Sequence, residues 1–235
     1  MSKKFPIETI AVVLGASGGI GGAVTKYLIK EKIFGDVIPV SRETNPKVDL
    51  KNEESIIELA EAVRSKNREL GLIVDATGLL HSGHVFPEKN LRSLTQETLL
   101  ENFFVNAIGP ILCLKHLSAL FPRAGKSVFV SLSARVGSVE DNHLGGWYSY
   151  RASKTALNQL IKTASIELAR SFPDHVSVAV HPGTVATKLS QPFSKAGLKL
   201  LTPDEAAIKL CKLIENLDSS DTGKFLDNEK NPIPW

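Results

Sequence analysis

The sequence has 235 residues, of which 43% are hydrophobic and 23% are charged, and its net charge at pH 7 is +3. These values are typical of a soluble globular protein, and we expect residues 1–235 to form a single α/β domain. The small net charge, with no basic run longer than Lys3-Lys4, argues against a nucleic-acid partner, and no stretch looks apolar enough to span a membrane.

Two further features indicate a cytoplasmic protein. Residues 1–6 contain no long apolar run after their lysines, so they are not expected to be a signal peptide. The two cysteines, Cys113 and Cys211, lie within apolar helical patterns. This placement predicts small buried side chains in a reducing compartment and no disulfide.

The first strand and helix are joined by a glycine-rich turn. Residues 10–14 form a continuous apolar run, as in a strand buried on both faces of a parallel sheet. They are followed by Gly15-Ala16-Ser17-Gly18-Gly19-Ile20-Gly21-Gly22 and then by a helical pattern through Lys30. Strand, turn and helix together bring backbone N–H groups to a phosphate, which predicts a nucleotide site and not merely a flexible loop.

The second strand, residues 37–40, ends in Ser41-Arg42. An acidic residue here would bind the ribose hydroxyls of NAD. Serine can donate a hydrogen bond and the guanidinium can pair with a 2′-phosphate, which favours NADP(H) over NAD(H). The alternative is a solvated arginine at a strand end.

The next two segments supply further cofactor contacts. Asp49 either reaches the adenine edge or caps a turn. Residues 70–75 form another buried strand, and Ala76-Thr77-Gly78 follow it at the edge where a ligand of an open α/β sheet lies. A zinc site at His81-Ser82-Gly83-His84 is not expected because no third ligand is nearby, so this segment is predicted to be a loop near the substrate.

A long helix is predicted from Thr95 to Leu120. Pro110 has no N–H for the carbonyl of Asn106, four residues earlier, so we expect a kink and a freed Asn106 carbonyl that can hold a water. Residues 127–132 form the next strand, which ends at Ser133.

The helix from Trp147 to about Arg170 carries the chemistry. Tyr150 and Lys154 lie one turn apart on one face, where the ammonium is expected to favour the phenolate. Such a tyrosine can serve as general acid/base for a carbonyl/alcohol pair. Small residues on this helix indicate a subunit interface, in a homodimer or homotetramer.

The last strands and helix complete the predicted site. Residues 176–180 form a strand, followed by Pro182 and Gly183, which make a stiff wall, and by Val185 and Thr187. Residues 188–201 are expected to form a lid over the substrate. A final helix begins at Thr202, and residues 223–226 form a closing strand.

These motifs, in this order along nearly the whole chain, resemble a classical short-chain dehydrogenase/reductase. The segments 131–137 and 145–150 and the Ile-Pro-Trp end resemble its C-factor-like branch, which is similar to sniffer-type carbonyl reductases. The resemblance implies a Rossmann-type doubly wound parallel sheet in three layers. It also implies a small-molecule carbonyl or alcohol substrate and no metal.

The resemblance implies a role for each site residue. Tyr150 would be the acid/base, Lys154 would lower its pKa and hold the nicotinamide ribose, Ser133 would bind the substrate oxygen, and Asn106 would anchor a relay water. Gly15, Ser17, Ile20 and Gly21 would line the pyrophosphate, and Thr187 would contact the carboxamide end.

Two departures from the family pattern leave alternatives open. Asp75-Ala76-Thr77-Gly78 stands where the family has Asn-Asn-Ala-Gly, and counting back from Gly137 places the usual serine at Ala134, one residue after Ser133. The leading hypothesis is an NADP(H)-dependent reductase. The alternative is a dinucleotide-binding signalling protein with little turnover, and a purely structural module explains the site residues poorly.

Overall fold

Six parallel strands form the centre of the fold. The computed structural model describes residues 5–6, 8–83, 85–193 and 200–235. The strands are β1 (Ile10–Leu14), β2 (Asp36–Val40), β3 (Leu70–Asp75), β4 (Ser127–Leu132), β5 (His175–His181) and β6 (Phe225–Asp227). Their order across the sheet is β2-β1-β3-β4-β5-β6, and each neighbouring pair is parallel. Every residue of β1, β3 and β4 is buried, which explains their largely apolar sequences.

Helices cover both faces of this sheet. They are α1 (Gly19–Glu31), α2 (Glu53–Arg64), α3 (Gln96–Phe103), α4 (Gly109–Leu117), α5 (Tyr148–Leu168) and α6 (Pro203–Asn216). Leu28 of α1 and Leu210 of α6 belong to the apolar cluster on one face. Leu59 of α2, Leu114 of α4 and Leu157 of α5 belong to the cluster on the other. The three layers confirm the predicted doubly wound fold of Rossmann type.

The helix predicted over residues 95–120 is divided by a π-helical turn, Phe104–Ile108. The Gly109 N–H bonds to the Phe104 carbonyl, five residues back, instead of the usual four. Since Pro110 has no N–H to give the Asn106 carbonyl, the wider turn accommodates the missing bond. The expected break is therefore present, in the form of a π turn.

The same stretch corrects one expectation about membranes. Within the described residues, the helical run Gln96–Leu120 is long and apolar enough, by length and composition, to cross a membrane. Its side chains Cys113, Leu114 and Leu117 are buried in the core against the sheet. A helix of a protein core can have the same apolar composition as a membrane helix, and this run packs these side chains into the core.

The crevice at the carboxyl edge of the sheet follows from the strand order. The chain passes from β1 to β2 on one side and then returns to β3 on the other side of β1. The loops after β1 and β3 therefore meet. Gly15 has φ +77°, and a Cβ atom added there would lie 2.9 Å from the Ala76 carbonyl carbon. This is the switch point where open α/β sheets bind ligands.

Candidate active site

The glycine turn after β1 presents an uncapped helix N-terminus at this crevice. Gly18 caps α1 without a side-chain hydrogen bond, and the first turn of α1 contains no acidic residue. Ser17 and Gly19 are exposed to solvent. Gly21 packs so closely on the turn that a Cβ atom there would overlap the Gly15 carbonyl oxygen. Free N–H groups and the positive end of the helix dipole suit an anion such as a pyrophosphate, and Ile20 lies beside them in the first turn.

The loop after β5 closes over this turn. A Cβ atom added at Gly19 would lie 2.8 Å from Thr187 Cγ2, so the two segments are in contact. The Thr187 N–H donates to the Ser190 hydroxyl at 3.1 Å, which fixes the end of the loop. Thr187 is thus held where a ligand on the glycine turn would meet it.

The wall formed by Pro182 and Gly183 is held by a residue that the sequence did not indicate. The side-chain amide of Asn228 donates to the Pro182 carbonyl at 3.1 Å. Gly183 has φ +84°, and a Cβ atom there would lie 3.1 Å from Asn228 Nδ2. Val185 is buried and pairs with Leu201. Asn228 lies 46 residues from Pro182 in sequence, so no local pattern could have found this contact.

The end of β2 exposes two cations. Arg42 is exposed, and no described residue engages its guanidinium. Ser41 is buried and its hydroxyl accepts the Glu43 N–H at 3.0 Å, which leaves the hydroxyl proton free to donate. Lys47, which the sequence did not single out, is brought beside them because Ser41 and Lys47 form a parallel bridge.

Asp49 forms hydrogen bonds with residues that follow it closely in the chain. Its side chain accepts the Lys51 N–H at 3.0 Å, and its own N–H donates to the Ser55 hydroxyl at 3.0 Å. Of the two alternatives drawn from the sequence, the turn cap is the one that these bonds describe.

The loop after β3 is stabilised by a buried carboxylate. Asp75 is fully buried, and its carboxylate accepts hydrogen bonds from the Ser131 hydroxyl and from the hydroxyl and N–H of Thr77. Burial raises the pKa of Asp75, against these hydrogen bonds and the nearby charge of Lys154. The Asp75–Gly78 loop is therefore stabilised by hydrogen bonds within the loop itself, and the Thr77 side chain is used in one of them.

Asn106 joins three segments around the crevice. Its side-chain oxygen accepts the Leu79 N–H at 2.7 Å, and its amide donates to the Leu79 carbonyl at 2.8 Å and to the Ser153 hydroxyl at 3.0 Å. The π turn, the loop after β3 and α5 are thus held together. A Cβ atom added at Gly78 would lie 3.6 Å from Asn106 Oδ1 and 3.8 Å from Lys154 Nζ.

Lys154 is a buried amine aimed at the end of β4. Its side chain donates to the Leu132 carbonyl at 2.8 Å, and only 2% of the residue is exposed. Burial lowers the pKa of Lys154 to about 8, and the nearby Asp75 carboxylate opposes that shift. A Cβ atom at Gly137 would lie 2.9 Å from Lys154 Cβ, so glycine lets α5 approach the chain after β4 this closely.

Tyr150 lies one turn before Lys154 and is 8% exposed. No hydrogen bond from the described part of the chain engages its hydroxyl. Burial raises the pKa of Tyr150 to about 12, and Lys154 does not contribute to this shift. The expectation that Lys154 lowers the pKa of Tyr150 is therefore wrong for the chain by itself, because desolvation of the phenol dominates.

The Ser133 hydroxyl is already engaged. It is 5% exposed and donates to Asn158 Oδ1 at 2.7 Å, while Asn158 Nδ2 donates to the Gly137 carbonyl at 3.3 Å. Ala134, the other position considered for a serine, is partly exposed. The structure thus uses Ser133 to hold α5 against the chain after β4.

Aromatic side chains line the crevice beside Tyr150. The Trp147 ring lies edge-on to Tyr150, with centroids 6.2 Å apart, and 5.2 Å from Phe193. His81 packs against Phe193 at 5.5 Å, and its Nε2 lies 3.0 Å from the Lys188 carbonyl. The loop after β3 therefore meets the start of the predicted lid. His84 and residues 194–199 lie outside the described residues, among which no metal-binding cluster occurs.

Comparisons with known sequences agree with this geometry. Residues 9–197 match the protein family described as short chain dehydrogenase. The chain is 30% identical over 234 residues to 1-hydroxy-2-glutathionyl-2-methyl-3-butene dehydrogenase of Rhodococcus sp. (strain AD45), covering 95% of this chain and 98% of that one. It is also 34% identical over 140 residues to C-signal of Myxococcus xanthus, covering 58% of this chain and 78% of that one.

Solved structures share the fold. NADPH-bound carbonyl reductase from chicken fatty liver superposes with a TM-score of 0.86 at 22% identity, covering 100% of this chain and 96% of that one. Carbonyl reductase Sniffer of D. melanogaster superposes with a TM-score of 0.83 at 21% identity, covering 97% and 99%. The resemblance to C-factor-like and sniffer-type proteins is thereby confirmed at the level of family and fold.

Proposed function

This chain belongs to the short-chain dehydrogenase/reductase family, and we propose that it is an NADP(H)-dependent oxidoreductase that interconverts a small-molecule carbonyl and its alcohol. The observation that carries the proposal is the convergence of four segments at one crevice. Gly78 and the Leu132 carbonyl lie at the amine of Lys154, one turn from Tyr150, and Asn106 lies on the other side of Gly78.

The cofactor fits the residues present. The uncapped N-terminus of α1 and the turn from Gly15 to Gly21 would hold a pyrophosphate, and the 182–187 loop would cover it. Arg42 and Lys47 would pair with a 2′-phosphate, and the NADPH bound by the chicken carbonyl reductase supports this preference. When bound, the nicotinamide supplies the hydride chemistry.

The chain supplies proton transfer and orientation. We propose that Tyr150 exchanges the proton of the substrate oxygen. Burial raises the pKa of Tyr150 in the chain alone, so the phenolate would be stabilised only with the cofactor bound, by the Lys154 ammonium together with the positive charge of the oxidised nicotinamide. Lys154 would also bind the nicotinamide ribose. The Asn106 carbonyl, which Pro110 leaves without an N–H partner four residues on, would hold the water that returns the proton.

The substrate oxygen also needs a hydrogen-bond donor besides Tyr150. Of the two candidate positions only Ser133 carries a hydroxyl, so we propose Ser133 for this role. It would have to leave its 2.7 Å bond to Asn158 when a substrate binds.

The test is the replacement Tyr150→Phe, which removes only the hydroxyl. We expect NADPH binding within about twofold of wild type and a loss of carbonyl turnover of about 10²–10⁴-fold, the usual contribution of a general acid/base. Tyr148→Phe is the matched control, because Tyr148 is 38% exposed and on the same helix. Unchanged turnover in the Tyr150 variant would refute the assignment.

A second candidate function is signalling through cofactor binding, favoured by the likeness to C-signal of Myxococcus xanthus. In that case a cellular phenotype would survive Tyr150→Phe but not a bulky substitution at Gly21, where even a Cβ overlaps the Gly15 carbonyl. An enzymatic role predicts that both variants lose the phenotype.

We also propose that the protein acts in the cytoplasm and assembles as a homodimer or homotetramer through α5. Ile166 on this helix is 55% exposed, which leaves apolar surface for a second copy. Sedimentation of wild type and Ile166→Glu tests this, with a smaller assembly expected for the variant.

A further inference from the structure

The chain contains a buried carboxylate that the proposed reaction does not use. Glu88, in the loop between β3 and α3, is 3% exposed. One carboxylate oxygen accepts the Ser149 hydroxyl, and the other accepts the Ser149 N–H at 3.2 Å. Ser149 is the residue before Tyr150 and lies in the first turn of α5.

The start of α5 lacks a cap of its own. Trp147, the residue before the helix, has φ +54° and makes no side-chain hydrogen bond to the helix. Its N–H donates to the Glu88 carbonyl at 2.5 Å instead. Gly146 approaches the same oxygen, because a Cβ atom there would lie 3.3 Å from it. Glu88 thus holds both the chain entering α5 and the first turn of α5.

On the side away from α5, the Glu88 segment faces a cavity. A cavity of about 470 Å³ separates it from the start of α3, lined by Phe86, Pro87, Glu88, Lys89, Asn90, Ser93, Thr95, Glu97 and Thr98. The hydrogen bonds to Ser149 and Trp147 therefore tie the segment to α5. A carboxylate at a helix N-terminus also interacts favourably with the helix dipole.

We propose that Glu88 is a positioning residue, which sets the direction of Tyr150 by capping the helix that carries it from a separate segment. The inference rests on the proposed function. Trp147 and Ser149, the residues on which Glu88 acts, lie three residues and one residue before Tyr150, and the Trp147 ring lies against the Tyr150 ring. A first turn that frays on loss of this cap moves the phenol relative to Asn106 and Lys154.

The test compares Glu88→Ala and Glu88→Gln with Lys89→Ala, an exposed neighbour in the same segment. For Glu88→Ala we expect kcat to fall about 10–100-fold, the effect of a misplacement near 1 Å, with one NADPH still bound per chain at a Kd within about twofold. Glu88→Gln should recover most of kcat, because its amide oxygen still accepts the Ser149 N–H. Lys89→Ala should match wild type. A merely structural role would lower kcat and the fraction of chains that bind NADPH together, and that result would overturn the proposal.

Two further measurements keep the test decisive if Glu88→Ala does not fold. Ser149→Ala retains the N–H bond to Glu88, as Glu88→Gln does, and should lower kcat by less than about tenfold, below the range expected for Glu88→Ala; a larger loss would contradict the proposal. Amide hydrogen exchange over residues 147–152 should be faster in Glu88→Gln than in wild type and unchanged in Lys89→Ala.

The exchange measurement also separates the two proposals. If wild type turns over no carbonyl compound, the proposed function fails, while faster exchange in Glu88→Gln still supports the cap. If turnover is present but exchange and kcat are unchanged in all Glu88 variants, only the positioning role fails.

Discussion

The Lys154 amine donates a 2.8 Å hydrogen bond to the main-chain carbonyl of Leu132, the last residue of β4. This bond joins α5 to the carboxyl edge of the sheet through a group that burial drives toward its neutral form, with a pKa of about 8. The Asp75 carboxylate opposes that shift, so the charge on Lys154 near neutral pH depends on a residue of β3.

Replacing Lys154 with methionine should remove this charge and keep the volume of the side chain. We expect Lys154→Met to fold, since it removes a buried charge, and to lose at least about 100-fold in turnover. Weaker NADPH binding should accompany the loss. Stopped-flow reduction assays and thermal unfolding would measure both effects, and turnover within threefold of wild type would contradict the role of Lys154.

The cations at the end of β2 should determine the choice between NADPH and NADH. Arg42→Ala should raise the Kd for NADPH about tenfold and leave the Kd for NADH unchanged, because only NADPH carries a 2′-phosphate for the guanidinium. Lys47→Ala should have a smaller effect in the same direction. Fluorescence titrations at two salt concentrations would test this, and equal losses for both cofactors would argue against a 2′-phosphate contact.

The glycine turn contacts the 182–187 loop, so a substitution that weakens NADPH binding on one side of the contact should be compensated by a substitution on the other side. Gly19→Ala places a methyl group 2.8 Å from Thr187 Cγ2, so it should push the loop away and weaken NADPH binding about tenfold. Thr187→Ser removes the opposing methyl but keeps the hydroxyl. The double variant should therefore bind NADPH nearly as wild type does, and failure of the second change to restore binding would show that the clash lies elsewhere.

The position of the substrate-oxygen donor is decided by a pair of variants. If Ser133 serves this role, Ser133→Ala should lower kcat/KM about tenfold or more, and Ala134→Ser should bring no gain. Steady-state kinetics with a fixed aldehyde would measure both. A faster Ala134→Ser enzyme, with Ser133→Ala losing only thermal stability, would leave Ser133 as the support for Asn158 that the structure already shows.

Stability at low pH should depend on His175. This residue is 1% exposed between the Ser127 and Ser177 hydroxyls, at 2.9 and 2.8 Å, and burial lowers its pKa to about 3. Between the ordinary pKa of about 6.5 and this value the unfolded chain binds the extra proton, so stability falls as pH falls through that window. One such proton corresponds to about 1.4 kcal/mol per pH unit.

The measurement is urea unfolding from pH 6 to pH 4 for wild type and His175→Gln. The free energy of unfolding should fall less steeply with decreasing pH in the variant. The difference between the two slopes should be that of one proton, about 1.4 kcal/mol per pH unit. His181, whose pKa burial also lowers, contributes equally to both proteins. Parallel curves would show that His175 titrates normally in the folded chain.

Local pattern was enough to predict much of the fold. β1, β3 and β4 occur at the predicted residues because strands covered on both faces must be almost continuously apolar. The start of α6 was predicted from its cap, Thr202, from the proline after it and from its early acidic residues. In the structure Thr202 also forms the reciprocal bonds of a capping box with Glu205.

What the sequence could not predict depends on residues far apart in the chain. Glu88 contacts Ser149 across 61 residues, and Asn228 contacts Pro182 across 46. Lys47 lies near Arg42 because the backbones of Ser41 and Lys47 pair in the folded chain. The pKa of Tyr150 was misjudged for a related reason, since spacing along a helix reports the neighbouring charge but not the depth of burial.

Gly78 has one more consequence. Since a single methyl at this position would sit in ordinary van der Waals contact with both the amide of Asn106 and the amine of Lys154, anything bulkier would enter the gap between them. The width of this gap is therefore set by the absence of a side chain at residue 78, and larger residues there would narrow it in graded steps without altering a polar group.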